Sequence, residues 1–518
     1  YEKSEGTLKH VLLFGNASYQ VNSYQCHVPT FQSEESLHVM QMDVGDVFFG
    51  MLDDGEDFTS EAADMDVNIG RLPVLTTYEA GLVMDKIQEY HSADSFGNWK
   101  TDFGVVADDE DSHIHMQQQE TFSRWFYRQA PVFNMSRLYV DKYPQENDGD
   151  HQTSPQARQA IKNKIEEGVF FMDYTGHAGS SGWAAEQVFT VEDALNLEND
   201  YYPFVVSSGI GDFYAGEASL GKAFVAAPNA AIGVLTTTTV AFSQQWNAFR
   251  NNFYSSMLSG ESQTMGDIFR NAVNAEHEYF HRNNYALLGD PALRLSYPDY
   301  EILTETINGE EAMMYNDTLM LDEEVTITAS VNDNNGVVNT FNGEANVRVF
   351  APEHVKSTLG TDSEPFDYLR TDSLIYETET TVENGVFEFS FALPEDYDFA
   401  PDSLKISYYA SADNHDAAGY DDELMAVGEP SGFADKEMTS FRVYPTLVTN
   451  VVNIRNKEDL TNTSVEIYNS SGNKVFEKMW PMQYGVEFSV NMEGLARGVY
   501  LIRLLNSDGV MTRRIVKK

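Results

Sequence analysis

Tyr174-Thr175-Gly176-His177-Ala178-Gly179 and, further along, Pro203-Phe204-Val205-Val206-Ser207-Ser208-Gly209-Ile210-Gly211-Asp212-Phe213 decide the fold. Apolar runs lead into both turns, Gly168-Val169-Phe170-Phe171-Met172 and Tyr202-Pro203-Phe204-Val205-Val206. Neither run alternates with polar residues, which is the pattern of a strand covered on both faces. Loops leaving the carboxyl ends of neighbouring parallel strands line the ligand crevice of an α/β sheet, so His177 and Ser207/Ser208 are expected to face one site. The residue types suit acyl transfer: a His can take a nucleophile's proton, and glycines leave N–H groups free for an oxyanion. Gly-His-Ala-Gly is equally an ordinary turn with an exposed His, and the motif by itself does not choose.

The flanking chain keeps the same alternation. Short apolar strands are expected at His10–Gly15, Asp102–Ala107, Ser136–Val140 and Ala231–Thr239. Amphipathic helices are expected near 77–90, 117–129, 154–167, 217–227, 243–258 and 264–280. This spacing predicts a doubly wound α/β domain ending near Pro298. Asp108-Asp109-Glu110-Asp111 follows one buried strand, with His113 and His115 close behind. The cluster reads three ways: an acidic helper for His177, a calcium site needing six to eight hard ligands, or a solvated loop.

Composition bounds the rest. The 518 residues have room for about three domains, and 42% hydrophobic residues suffice for ordinary cores. Against 33 basic residues stand 81 acidic ones, a net charge of -48 that argues against nucleic-acid or anionic-membrane binding. From Phe441 onward 11 basic residues outnumber 7 acidic ones, so this segment is a different module. The single cysteine, Cys26, allows no intrachain disulfide and reads as a small, half-buried side chain. No apolar run is long enough for a membrane-spanning helix, and the chain, opening on Tyr1 without a signal-peptide pattern, reads as a mature or trimmed piece.

From about Tyr300 the helical pattern gives way to two-residue alternation, as in Glu324–Ala329, Ala345–Phe350, Val386–Phe391 and Leu404–Ala410. About seven short strands separated by turn signals predict an immunoglobulin-like β-sandwich over 299–432. Residues 441–518 read as a compact all-β module closing on Arg513-Arg514-Ile515-Val516-Lys517-Lys518.

The Gly-His turn, the Pro203–Ser208 strand, Gly211-Asp212-Phe213, Ala230–Thr237 with Trp246 beyond, and Leu287-Leu288-Gly289-Asp290-Pro291-Ala292-Leu293 together resemble the gingipain family of caspase-like cysteine peptidases, in particular its type IX secretion sortase branch. Residues 441–518 resemble the C-terminal sorting domain of type IX secretion cargo. The resemblance implies three domains: a gingipain-like α/β peptidase domain over 1–298, incomplete at its start; the sandwich over 299–432; and the sorting domain over 441–518. It carries the catalytic His over to His177, its acidic support to Glu110 or Asp111, with Glu110 preferred, and the pocket to Gly176 and Trp246.

The family's nucleophile is a Cys at the end of the second strand, and no Cys stands there. Counting back from Gly211-Asp212-Phe213 puts that position at Ser208, and counting forward from Pro203 puts it at Ile210. The resemblance thus implies a cell-surface or outer-membrane-associated protein acting on peptide segments or sorting domains of secreted proteins, with a secretion barrel as a further partner. Its rival is a non-catalytic scaffold on the same fold. Calcium is the one cation suggested.

Overall fold

Apolar strands need cover on both faces, and an eight-stranded sheet receives it. Its strands are β1 (His10–Phe14), β2 (Asn68–Leu72), β3 (Asp102–Ala107), β4 (Asn134–Tyr139), β5 (Phe171–Thr175), β6 (Phe204–Ser207), β7 (Gly233–Thr237) and β8 (Tyr285–Leu288). They lie in the order β1-β2-β8-β7-β6-β5-β3-β4. Neighbours run parallel except β7 with β8. The computed structural model describes residues 7–18, 22–33, 44–54, 63–147, 152–209, 219–260, 264–276, 282–427 without 316, 322, 362, 395–396, 398 and 400–401, and 441–518 without 445–446, 457–459, 470–473, 483–486 and 507–508.

The helices are α1 (Thr77–Glu89), α2 (Ile114–Gln129), α3 (Pro155–Glu167), α4 (Val191–Leu195), α5 (Leu220–Ala226), α6 (Ser243–Leu258) and α7 (Met265–Asn274). Successive strand residues point to opposite faces, so Phe103, Val105, Phe171 and Leu235 join one core with α2, α6 and α7. Val106, Met172, Tyr174 and Val234 join the other, under α3 and α5. The doubly wound expectation therefore holds. The first strand of the motif begins later than its apolar run, because Val169 and Phe170 are buried as a lead-in, with Phe170 N–H donating to Asp102 O. Helix α2 starts earlier than the pattern indicated, and this puts His115 in its first turn.

One polar cluster sits inside the first core. Asp173 on β5 pairs with Arg250 on α6 at 3.0 Å, both side chains being fully buried. Gln119 Nε2 on α2 donates to the same carboxylate at 2.9 Å and Tyr254 Oη on α6 at 2.8 Å.

Residues 1–428 form one unit and 429–518 a second. Within the first, the α/β sheet is followed by β9 (Tyr300–Ile307), β10 (Glu324–Asp333), β11 (Gly343–Phe350), β12 (Leu374–Val382), β13 (Val386–Ala392), β14 (Lys405–Ala412) and β15 (His415–Asp421). These pair in the order β10-β9-β15-β14-β11-β12, with β13 alongside β10. Polar bonds tie this β region to the β3–β4 edge. Arg348 pairs with Asp102 at 2.8 Å, Lys100 with Asp416 at 2.7 Å, and Lys405 Nζ donates to Phe133 O at 2.7 Å. Burial works to raise the Asp102 carboxyl, but Arg348 and Lys164 outweigh it and hold it down at about 2.

The second unit has two sheets around a core of Val448, Val452, Ile454, Val465, Ile467, Ile502 and Leu504. Leu460–Asn469, Gly498–Asn506 and Gly509–Lys517 are its longest central strands. Deleting 429–518 is expected to leave the thermal unfolding transition of residues 1–428 in place, checked by calorimetry. Arg250→Leu strands a buried carboxylate, and urea unfolding should show a loss of about 3–5 kcal/mol.

Candidate active site

Parallel pairing brings the carboxyl ends of β3, β5 and β6 side by side, with Ala107 opposite Thr175 and Ser207 opposite Tyr174. Asp108, the first residue past β3, donates its N–H to Thr175 O at 3.2 Å. Its fully buried carboxylate then reaches the next turn. Oδ2 accepts from the backbone N–H of His177 at 2.7 Å and lies 2.9 Å from His177 Nδ1, while Oδ1 accepts from Glu110 N–H at 2.7 Å. Glu110 Oε2 lies 3.0 Å from the same Nδ1, and Asp111 Oδ2 is 3.3 Å from Nε2.

His177 is 48% exposed, yet the bond to Asp108 holds its imidazole up at about 9, with Asp108, Glu110 and Asp111 charges adding to the effect. It is an imidazolium at neutral pH. Burial raises the Asp108 carboxyl, and its hydrogen bonds with His177 and Glu110 override this to leave it low. The neighbouring acids are pushed the other way: burial takes Asp109 up to about 6 and Glu186 up to about 7, with surrounding carboxylates contributing.

The structure thus brings Glu110 to His177 and adds Asp108, which the sequence reading passed over. Its signal was position, as the residue that directly continues the buried strand. Asp108 and Asp109 are buried while the Glu110 and Asp111 side chains are 39% and 63% exposed, so only the second half of the cluster faces solvent. Gly176 is a packing residue rather than an open pocket floor. A Cβ there would meet Asp108 Cβ at 2.3 Å and Tyr174 Oη at 2.5 Å.

Trp246 is only 1% exposed and packs with Phe249 and Tyr285 in the first core, so it offers core contact where a pocket wall was expected. A large indole on the inner side of α6 gains more by burial than by exposure.

Ser207 is fully buried, and its Oγ accepts from Trp183 Nε1 at 2.9 Å. Ser208 is half-buried in the turn after β6, and Gly209, at φ +76°, comes so near Ala178 O that a Cβ would lie 2.9 Å from it. This contact sets the Ser208 turn against the His177 turn. Ile210, Gly211, Asp212 and Phe213 lie outside the described residues. The amides expected to serve an oxyanion are partly taken, since Gly209 N–H donates to Thr237 Oγ1 at 2.9 Å and His177 N–H to Asp108.

The doubly wound α/β sheet thus carries a carboxylate-bound His at the carboxyl ends of its strands. The profile described as Peptidase family C25 matches residues 1–296, more than half of the chain, and the chain belongs to this gingipain family. The profile of the secretion system C-terminal sorting domain matches residues 442–518, which implies export to the cell surface or the extracellular space. Among the described residues no helix is long and apolar enough to cross a membrane.

Of solved structures, the Arg-specific cysteine proteinase gingipain R is 13% identical with a TM-score of 0.47, covering 82% of this chain and 86% of its own. Dimeric latent PorU from Porphyromonas gingivalis is 17% identical with a TM-score of 0.30; the match covers 98% of this chain but 57% of PorU. At these scores the family assignment rests on the profile. The search of curated proteins gave no match.

His177 is expected to titrate near pH 9 by NMR, and Asp108→Asn to bring the midpoint down toward the ordinary value of about 6.5. Because the folded-state value of His177 is raised, that ring's contribution to stability is complete below about 6.5 and is lost as pH rises through about 9, whereas the contribution of Asp108, whose carboxyl is held low, is lost as pH falls through its folded-state value.

Proposed function

We propose that this chain is a type IX-exported surface protein whose C25 domain is a pseudopeptidase, keeping the charged His turn to recognise peptide or sorting-domain segments of secreted proteins. One observation carries the reading: carboxylate oxygens of Asp108, Glu110 and Asp111 lie 2.9, 3.0 and 3.3 Å from the His177 ring nitrogens, an arrangement that favours the imidazolium, and beside its turn stands Ser208 rather than a thiol. An imidazolium can hold a thiolate, since Cys titrates near about 8.5, but a serine hydroxyl gives up no proton to a base that is already protonated. Cys26 lies in the loop after β1, where its neighbours Gln25 and His27 bond to Asn16 and Asn16 N–H donates to Val74 O just past β2. Strand β2 stands four positions from β5, which at about 4.8 Å per strand is roughly 19 Å.

The β region over 299–432 serves in this reading as an immunoglobulin-like support, and an outer-membrane barrel of the secretion machinery as a docking partner. Peptide-bond chemistry through Ser208 is the second reading, favoured by the intact Asp108–His177 pair. In it His177 would deprotonate Ser208 for attack on a peptide carbonyl.

Ser208→Cys is expected to gain labelling by a thiol-directed peptide inhibitor at neutral pH, read by mass spectrometry, while the unmodified chain hydrolyses no peptide. Labelling of Ile210→Cys alone would move the nucleophile position by two residues. Hydrolysis by the unmodified chain that vanishes in His177→Ala would sink the pseudopeptidase reading.

A further inference from the structure

Beside His177, on the first turn of α2, lies His115, a side chain that neither reading uses. It is 4% exposed, and among the described residues neither ring nitrogen has a hydrogen-bond partner. Its Nε2 is 3.8 Å from Asp111 Oδ2, beyond hydrogen-bond distance. A buried imidazole carries one N–H and one lone pair, and leaving both unmatched is costly. The ring stands edge-on to His177 with centroids 5.0 Å apart. One ligating atom each of Asp108, His115 and His177 lies within 4.8 Å of the other two.

We propose that Asp108, His115 and His177 form a binding site for a divalent cation of the zinc class. Two imidazoles and one carboxylate are the donor set such ions prefer, with a fourth position left for water. Calcium does not fit, because it takes six to eight oxygen ligands and two of these three donors are nitrogens.

Bonds of about 2.0–2.1 Å place tetrahedral ligating atoms roughly 3.3 Å apart. The trio, within 4.8 Å, is near that spacing, and Asp108 Oδ2 and His177 Nδ1 stand at 2.9 Å across the hydrogen bond whose proton an ion would replace. The charge balance also favours a cation. Asp108, Glu110 and Asp111 place three carboxylates around one imidazole ring. His177 enters as the neutral ring and releases its proton to solvent. A bound ion therefore displaces the proton that pairs His177 with Asp108 and removes His177 from any role as a base.

The backbone at the site is unusual. Asp111, Ser112 and His113 all have positive φ, at +54°, +55° and +69°. Their turn swings the chain from β3 into α2, so that Asp111 and His115 both return toward His177.

The site does not depend on the proposed function, and its test uses no activity readout. The full chain, stripped with a chelator, is titrated with Zn²⁺ by calorimetry and with Co²⁺ by visible absorption. The expected result is one ion per chain, the strong absorption of four-coordinate cobalt, and little competition from excess Ca²⁺. His115→Gln should weaken zinc binding at least about ten-fold, the lower end of what even outer-shell losses cost. His415→Gln, in the β region, should bind as the unmodified chain does. Retention of full affinity in His115→Gln, loss in His415→Gln, or displacement by equimolar Ca²⁺ would each overturn the assignment. If His115→Gln fails to fold, NMR of the unmodified chain decides: imidazole signals of His115 and His177 that do not move on adding Zn²⁺ exclude the site.

Discussion

The pairing of Asp173 with Arg250 is the constraint on which the site's geometry rests. Both side chains are fully buried, and the carboxylate also accepts from Gln119 and Tyr254. A charge in that environment is tolerated only with its partners in place, so β5, α2 and α6 have one relative arrangement that satisfies them. Strand β5 delivers the His177 turn two residues beyond its end, and α2 carries His115 in its first turn. Fixing these elements fixes the distance between the two imidazoles.

Asp108 does the local work. A single carboxylate oxygen takes both the backbone amide and the ring of His177, so the turn and the rotamer are set together. The β region supports the same place from outside. The left-handed stretch at 111–113 costs about 1 kcal/mol or more per residue, and His113 at its end meets Ser363 and the ring of Phe366. Asp141 similarly accepts the amides of Gly360 and Thr361 at 2.8 Å. Residues far along the chain therefore hold the acidic turn beside His177, which gives the β region a part in the site beyond that of a spacer.

The electrostatics separate binding from acyl transfer. An imidazolium ringed by carboxylates is matched to a thiolate, to a peptide backbone or, once its proton leaves, to a metal ion in that proton's place. It is poorly matched to activating a hydroxyl. Engagement of Gly209 N–H by Thr237 points the same way, since a donor already satisfied stabilises no developing oxyanion.

The sequence by itself determined the layered α/β domain, because short apolar runs such as Tyr202–Val206, rich in aromatic and β-branched residues and closed by a Gly-containing turn, read as strands covered on both sides. It also determined the switch to β structure near Tyr300, through two-residue alternation, and the separate module from 441, through its reversed charge. His177 and Glu110 were legible as neighbours only by analogy of motif. Tertiary structure decided that Asp108 holds His177, that His115 stands beside it without a partner, that Gly176 packs against Asp108, and that Trp246 turns into the core. Each depends on which strands lie side by side and on which face of α2 or α6 meets the sheet. Those are long-range choices, made by the summed burial and pairing of the whole domain, and no local run of residues encodes them.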